Sequence, residues 1–316
     1  LVLQKQTVGS RVAVYYELTK PKIWYLLVFT AFGAALTASN LYDIQISYLV
    51  WGLMLFSVAS GSAAANTLTN YHDRDIDAIM ERTKDRPLPS KRIYPAVKAR
   101  NFGLALAGIS LVLAFAVSFD AKVSLEQGIW ATIFIAFALV NNIIVYSYIL
   151  KRTSRTNIIL GGLCGGSPPM IGWVVVTMSD LWTMGLVMGG LVFIWIPMHI
   201  WALTLHFKDD YNKVNVPMLT AVQSEKTSAR VIALSTVVMV LFSIAPFFIT
   251  NESGEDMVGD VYLWTAIASG ALMLGLSVWV TIKPMEKAAW TLFKFSSPYL
   301  AVLFIALMVD SGYSGL

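Results

Sequence analysis

The segment from Asn66 to Pro89, NTLTNYHDRDIDAIMERTKDRPLP, carries the densest polar chemistry in the chain. At helical spacing Asn66, Asn70, Asp73 and Asp77 fall at i, i+4, i+7 and i+11, so the four share one stripe and Asp75 points elsewhere. Carboxylates four residues apart on one face bring like charges close enough to repel strongly in a low-dielectric setting. Such a pair calls for a cation. Magnesium suits it, a hard ion that binds through one or two carboxylates and fills its other positions with water and substrate phosphates. Arg82, Lys84 and Arg86 follow before Pro87 ends any helix, placing positive charge within reach of an anion held by the metal. Together they point to a phosphorylated ligand. The competing reading is an exposed ion-pair ladder of Asp73, Arg74, Asp75, Asp77 and Arg82 at a helix end, which contributes little.

A second segment, WIPMHIWALTLHFKDDYNKVNVPML, starts at Trp195. His199, Leu203, His206 and Asp210 again form one helical stripe, with Asp209 beside Asp210 and Lys208 and Lys213 flanking them. No Asp pair at i, i+4 exists here, so this edge is expected to hold metal weakly or through water. Ionisable groups inside lipid are usually functional, which sets a ligand role for His199 against a buried, hydrogen-bonded one. His206, at a helix end, reads equally as a surface group, and His72 reads as packing. Trp173, Trp195, Trp201 and Tyr211 are explained as interfacial belt and packing, and would also wall a flat aromatic ligand.

The elements that position these groups follow from composition. The chain has 316 residues, 57% apolar and 13% charged, against about 45–50% and about 25% in globular proteins. A water-soluble two-domain protein is excluded. Nine apolar runs approach the about 20 residues a helix needs to cross hydrocarbon. They run Ile23–Ser39, Ile46–Leu68, Pro95–Val117, Gly128–Leu150, Asn157–Thr177, Thr183–Leu205, Val231–Thr250, Tyr262–Ile282 and Ala289–Val309. No run alternates as a membrane barrel strand does. The fold class is all-α integral membrane, multispanning, as a single domain over 1–316. Within it, Gly161–Gly172 with Pro168 and Pro169 predicts either a helix break beside a ligand or tight helix packing.

Charge then sets orientation. Of the 23 Lys and Arg residues, 22 lie in the N-terminal segment or flank the loops after even-numbered spans, which assigns that face to the cytoplasm or matrix. Only Lys122 lies opposite, on a face that is otherwise acidic. The basic face would attract anionic headgroups and anionic substrates alike. Two long polar loops, 69–94 and 206–230, both lie there, each after an even-numbered span, which suggests a loose internal duplication delivering two loops to one site. The lone Cys164 falls inside a span and excludes a disulfide framework or a Cys-based metal site.

Four stretches carry a resemblance to a known family, LTKPKIW at 18–24, NYHDRDIDAIMERTKDRPLP at 70–89, YSYILKRTSRTNIILGGLCGGSPPMIGW at 146–173 and WIPMHIWALTLHFKDDYNKVNVPML at 195–219, together with the nine-span layout. The chain resembles the UbiA superfamily of intramembrane prenyltransferases and, within it, the branch that farnesylates protohaem IX, the haem O synthases.

The resemblance implies nine transmembrane helices around a central cavity that isoprenoid enters from lipid. It implies farnesyl diphosphate held through magnesium by two aspartate-rich motifs, with haem b as the acceptor. By position the first motif supplies Asp73 and Asp77. Where the family commonly has Asn, four residues before Asp73, this chain has Thr69, so Asn70 or Asn66 is expected to supply that contact. The second motif is represented by Asp209 and Asp210 within KDDY, and Lys151 and Arg152 resemble positions that approach the diphosphate. His199 or His206 would engage the haem iron or a propionate. The implied setting is a prokaryotic cell membrane, or the mitochondrial inner membrane in a eukaryote, with haem A synthase or oxidase assembly factors as partners. No feature points to nucleic acid.

Two other readings stand beside this one. A secondary transporter of an amphipathic anion would also show one-sided charge and a broken span. Against it, the aspartates and arginines cluster at one membrane edge instead of the midplane. A prenyltransferase acting on a quinone precursor or chlorin would share the donor site and differ in the acceptor.

Overall fold

Apolar length and local capping chemistry generate the helices. The computed structural model describes residues 8–251, 254–282 and 286–313. After a short helix α1 (Val8–Leu18) come spans α2 (Pro21–Tyr42) and α3 (Tyr48–His72), then a single turn α4 (Arg74–Asp77). Spans α5 (Val97–Phe119), α6 (Leu125–Leu150), α7 (Asn157–Val176) and α8 (Leu181–His206) follow, then a short helix α9 (Lys208–Lys213). Spans α10 (Glu225–Phe248), α11 (Asp260–Ile282) and α12 (Lys287–Gly312) complete the order. Among the described residues nine helices are thus long and apolar enough to cross a membrane.

The start signals are legible one by one. Ser47 accepts from Val50 N at 3.2 Å and caps α3. Ser124 and Gln127 form a reciprocal capping box at α6. Ser224 caps α10 through Thr227 N, so that helix begins at Glu225, six residues before its apolar run. The first span runs 22 residues and is not short, because Pro21 is tolerated at a first helical position. Helix α1 lies outside the expected spans. It docks Val14 and Leu18 against Leu88, Ile93 and Ala99, with Arg92 bidentate on Glu17 at 2.5 and 2.6 Å.

Span α7 is the central element. In its most apolar window 78% of residues are buried, against at most 44% in any other span. Small residues make this burial possible. A Cβ on Gly172 would stand 2.0 Å from the Ala31 carbonyl oxygen of α2, and one on Gly166 3.0 Å from the Gly189 oxygen of α8. The helix is wound tightly as 3-10 turns over Gly162–Gly166. The Gly161–Gly172 stretch therefore packs closely, one of its two expected readings, and its winding tightens there without ending the span. Around α7 pack α2, α6 and α8, and α2 in turn contacts α3 and α12.

The two even-numbered spans that precede the polar loops end alike. Span α3 stops at His72, Asp73 forms the junction, and α4 follows; α8 stops at His206, Phe207 forms the junction, and α9 follows. Asp210 then joins the two loops by accepting from Arg82 N at 3.1 Å and Glu81 N at 3.4 Å.

Candidate functional site

The junction at Asp73 does not scatter the acidic stripe. Asp73 N donates to Thr69 O and Asp77 N to Asp73 O, both at 2.8 Å, so the helical path runs on through the bend. Asp73 and Asp77 are 2% and 3% exposed, which removes the exposed-ladder reading for them. It holds for Asp75 alone, which is exposed and bidentate with Arg152 at 2.7 and 2.8 Å. The Arg152 guanidinium holds the Asp75 carboxyl down at about 2.

Buried carboxylates need compensating charge, and here basic side chains surround them. Lys151 donates to Asp73 Oδ2, and Arg152 stands 3.8 Å from Asp73 Oδ1. Arg86 Nη1 meets both oxygens of Asp77 at 3.0 and 2.8 Å. Thr83 Oγ1 donates to the Asp77 carbonyl at 2.9 Å and secures the turn that brings Arg86 inward. Lys151 leaves α6 after a stretch of wide π-helical winding, Val140–Leu150, a local feature that recurs at functional sites.

The basic triplet after the aspartates divides. Arg86 faces the site. Arg82 lies over the Phe207 ring at 5.0 Å and donates to Tyr211 Oη at 3.3 Å, so it belongs to the seam between the loops. Lys84 is exposed and paired with Glu81 at 2.5 Å, and makes no contact with the aspartates. That corrects its expected place beside the anion. With no regular helix beyond Asp77, the spacing of these residues no longer sets their direction.

Two further expectations change. Asp210 is buried, but its oxygens hold the first loop's amides and Lys213 stands 3.5 Å away, so its contacts tie the loops together. Lys208 donates to the Gln223 carbonyl at 2.9 Å, and serves the second loop in the same way. Asp209 is exposed, and with Glu81, Arg82, His206, Phe207 and Asp210 lines an open pocket at the mouth between the loops.

Lys20 was not singled out by its spacing. It sits in the left-handed region, at φ 53°, between α1 and α2, an uncommon conformation for a residue with a side chain. Burial, then the charge of Arg86, pulls its ammonium well below the ordinary lysine value, while Asp77 acts against them. These are the same groups that surround the carboxylates. The sequence signals were a lysine just before the proline that opens a span and its place in the LTKPKIW stretch.

The asparagines have separate places. Asn66 lines an apolar cleft between α2, α3, α6 and α7, with Leu27, Val58, Ile135, Leu139 and Ile171 among its walls and Asn142, Cys164 and Ser167 as polar accents. Asn70 Nδ2 donates to the Leu18 carbonyl at 2.9 Å. Its Oδ1 and Asp73 Oδ1 are buried without a hydrogen-bond partner. Two orphaned oxygens three residues apart fit a hard cation. Among the described residues no three His, Cys, Asp or Glu side chains converge, so a metal here would share its sphere with substrate oxygens. Thr69 makes no such offer: its hydroxyl pairs with Ser147 Oγ at 3.0 Å and Asn142 Oδ1 at 3.3 Å.

The histidines stand in an aromatic column. His199 stacks between Trp195 and Phe293, at 4.1 and 4.3 Å, and its Nδ1 meets Ser296 Oγ at 2.6 Å. His206 stacks on Trp290 at 4.6 Å. His72 packs on Tyr148 at 4.0 Å, a packing role as its position indicated.

Comparison with known proteins bears on the fold and the family. A protein of Cenarchaeum symbiosum (strain A) named protoheme IX farnesyltransferase 2 is 72% identical over 98% of this chain and 99% of its own. Among solved structures, one described for digeranylgeranylglyceryl phosphate synthase shares the fold at TM-score 0.71, with 19% identity over 96% of this chain and 99% of that one. A UbiA homologue from Archaeoglobus fulgidus, bound to GPP and Mg2+, superposes at TM-score 0.57 with 14% identity over 93% and 99%. The UbiA prenyltransferase family pattern matches residues 26–306, and the chain belongs to that family.

Proposed function

We propose that this protein is a magnesium-dependent farnesyltransferase. It moves the farnesyl group of farnesyl diphosphate to a vinyl group of haem b with addition of water, and yields haem O and diphosphate. The observation that carries this reading is the buried Asp73–Asp77 pair, ringed by Lys151, Arg152 and Arg86, on the same helix stripe as Asn66 in the wall of the apolar cleft. An isoprenoid diphosphate has the same polarity: an anionic head and a long apolar tail. The name of the Cenarchaeum symbiosum relative supports haem as acceptor, and the magnesium bound in the Archaeoglobus fulgidus homologue supports the metal.

Breaking the farnesyl C1–O bond leaves an allylic cation and a strongly negative leaving group. Lys151, Arg152 and Arg86 supply fixed positive charge where that negative charge develops. Asp73, Asp77 and Asn70 would hold magnesium, which would supply Lewis-acid withdrawal of charge from the diphosphate. The apolar cleft shields the cation from water until the vinyl carbon attacks it. That attack leaves a cation beside the porphyrin, and water adds there with loss of a proton, giving the hydroxyethylfarnesyl product.

The one-sided basic charge supports an orientation in which these loops face the cytoplasmic side of a prokaryotic cell membrane. The product, anchored by its new tail, would then pass within the membrane to haem A synthase or an oxidase assembly partner. The test is direct. Purified protein in detergent with haem b, farnesyl diphosphate and magnesium should yield a more hydrophobic haem by chromatography. No new haem species would sink the proposal, and preferential prenylation of a quinone precursor or chlorin in competition would change the acceptor.

A further inference from the structure

Ser296 decides which nitrogen of His199 carries the proton. Its hydroxyl lies 2.7 Å from the Phe293 carbonyl oxygen, one turn back on α12, and 2.6 Å from His199 Nδ1 on α8. A serine hydroxyl has one proton to donate. A carbonyl can only accept, so a hydrogen bond to Phe293 uses that proton and leaves Ser296 Oγ to act as acceptor toward His199. Nδ1 must then be the N–H. The opposite assignment would set two oxygens 2.7 Å apart with no proton between them. In the neutral ring the lone pair therefore sits on Nε2.

The ring is also held rigidly. Trp195 stacks on it at 4.1 Å with 26° between planes, and Phe293 at 4.3 Å with 29°. Trp195 is itself fixed by Nε1 donating to the Ser296 carbonyl at 2.8 Å. Among the described residues Nε2 has no hydrogen-bond partner, and it is not one of the sealed, unpartnered polar atoms. An imidazole clamped on both faces, bonded at one nitrogen and holding an open lone pair at the other, is prepared to ligate a metal. Packing alone gives no reason for an open nitrogen on an ionisable side chain inside a span. His206, seven residues along the same helix, stands about 10 Å nearer the polar loops by helical rise and stacks on Trp290.

We propose that His199 Nε2 is an axial ligand to the iron of the porphyrin acceptor and that Ser296 is the positioning residue that fixes its tautomer. This rests on the reading of haem as the acceptor. It assigns to His199 a role that sequence position left open between His199 and His206.

The experiment adds haem b to the purified full chain in detergent, without isoprenoid donor, and records absorption and electron paramagnetic resonance spectra. Wild type is expected to show histidine-ligated iron. His199→Phe, which keeps the stacking, should lose that signature, and added imidazole should restore it. Ser296→Ala should weaken haem binding roughly 10-fold or more, in line with loss of an outer partner of a ligating histidine, and Ser296→Thr should recover it. His206→Ala should keep the wild-type spectrum. An unchanged spectrum in His199→Phe, or a loss in His206→Ala instead, would overturn the assignment. If wild type farnesylates haem b yet shows no histidine ligation, the iron ligand fails and the proposed function stands. If wild type neither binds nor farnesylates haem, both fail.

Discussion

Asn70 donates its amide to the Leu18 carbonyl at 2.9 Å, and this fixes its Oδ1 as a buried atom without a partner, three residues before Asp73. The bond links the end of α1 to the acidic stripe, so the N-terminal helix takes part in orienting a metal-ready oxygen. Asn70→Ala removes both the tether and the oxygen. It is expected to raise the magnesium concentration needed for half-maximal turnover by at least the roughly 10-fold that loss of even an outer partner of a metal ligand brings. A magnesium titration of farnesyl transfer would reveal this, and an unchanged requirement would remove Asn70 from the ligand set.

Asp77 differs from Asp73 in its company, with Arg86 Nη1 on both oxygens and a local backbone tie through Thr83. Asp77→Asn keeps an oxygen for Arg86 and so preserves the turn, but removes the negative charge. Turnover should fall by about 10² or more, the usual scale for losing one preorganised charged group at a site of developing charge. Thermal stability in detergent should change little. Turnover close to wild type in a folded variant would remove the metal-site assignment.

The nine spans were legible because the need to cross lipid imposes a one-dimensional signature, apolar length, that no tertiary contact can hide. The Asp73–Asp77 edge was legible because the helical repeat survives the junction after His72. Beyond Asp77 the repeat stops, and nothing in the spacing told Arg86 from Lys84, although one turns inward and the other pairs with Glu81 on the surface. Lys20 was hidden for a different reason: a left-handed residue between two helices carries it to groups more than fifty positions away. The His199–Ser296 contact joins α8 to α12 across 97 positions, a pairing that only packing creates.

Thr69 occupies the place where an asparagine was expected, and its hydroxyl bonds to Ser147 and Asn142 of α6. The side chain therefore fastens α3 to the helix that delivers Lys151. Thr69→Val, nearly the same shape, should cost about 1 kcal/mol through the lost hydrogen bonds. Thermal unfolding in detergent measures that loss, and the magnesium requirement should stay as in wild type. A raised requirement would mean that the Thr69 oxygen belongs to the metal site after all.

On the acidic face, Ser47 donates to Asp120 Oδ2 at 2.5 Å while accepting from Val50 N as the cap of α3. The Ser47 hydroxyl, then the Lys122 amide, holds the Asp120 carboxyl below its ordinary value of 3.8. A depressed carboxylate contributes stability above that ordinary value and loses it as pH falls through the lower, folded one. Asp120→Asn should therefore unfold at lower temperature than wild type at pH 7. The gap should close as the buffer is taken below the depressed value of the folded carboxyl, where wild type is protonated as well. A gap that persists in acid would show that the carboxamide disturbs the cap by shape and not by charge.

Gly172 puts the backbone of α7 against that of α2, with a hypothetical Cβ 2.0 Å from the Ala31 oxygen and 2.9 Å from its carbonyl carbon. Neither atom can rotate away, since both belong to the main chain of a packed helix. Gly172→Ala must push the two spans apart, and it should cost at least the about 1–3 kcal/mol typical of overpacking a core. Both helices also wall the cleft, so farnesyl transfer should fall along with melting temperature. The matched control is Gly108→Ala in α5, where a Cβ would meet nothing within 4 Å. There the added methyl should be neutral or stabilise by up to about 1 kcal/mol through lost chain entropy. Equal damage at both positions would mean that glycine serves general helix flexibility in this bundle, and the close approach of α7 to α2 would lose its explanatory role.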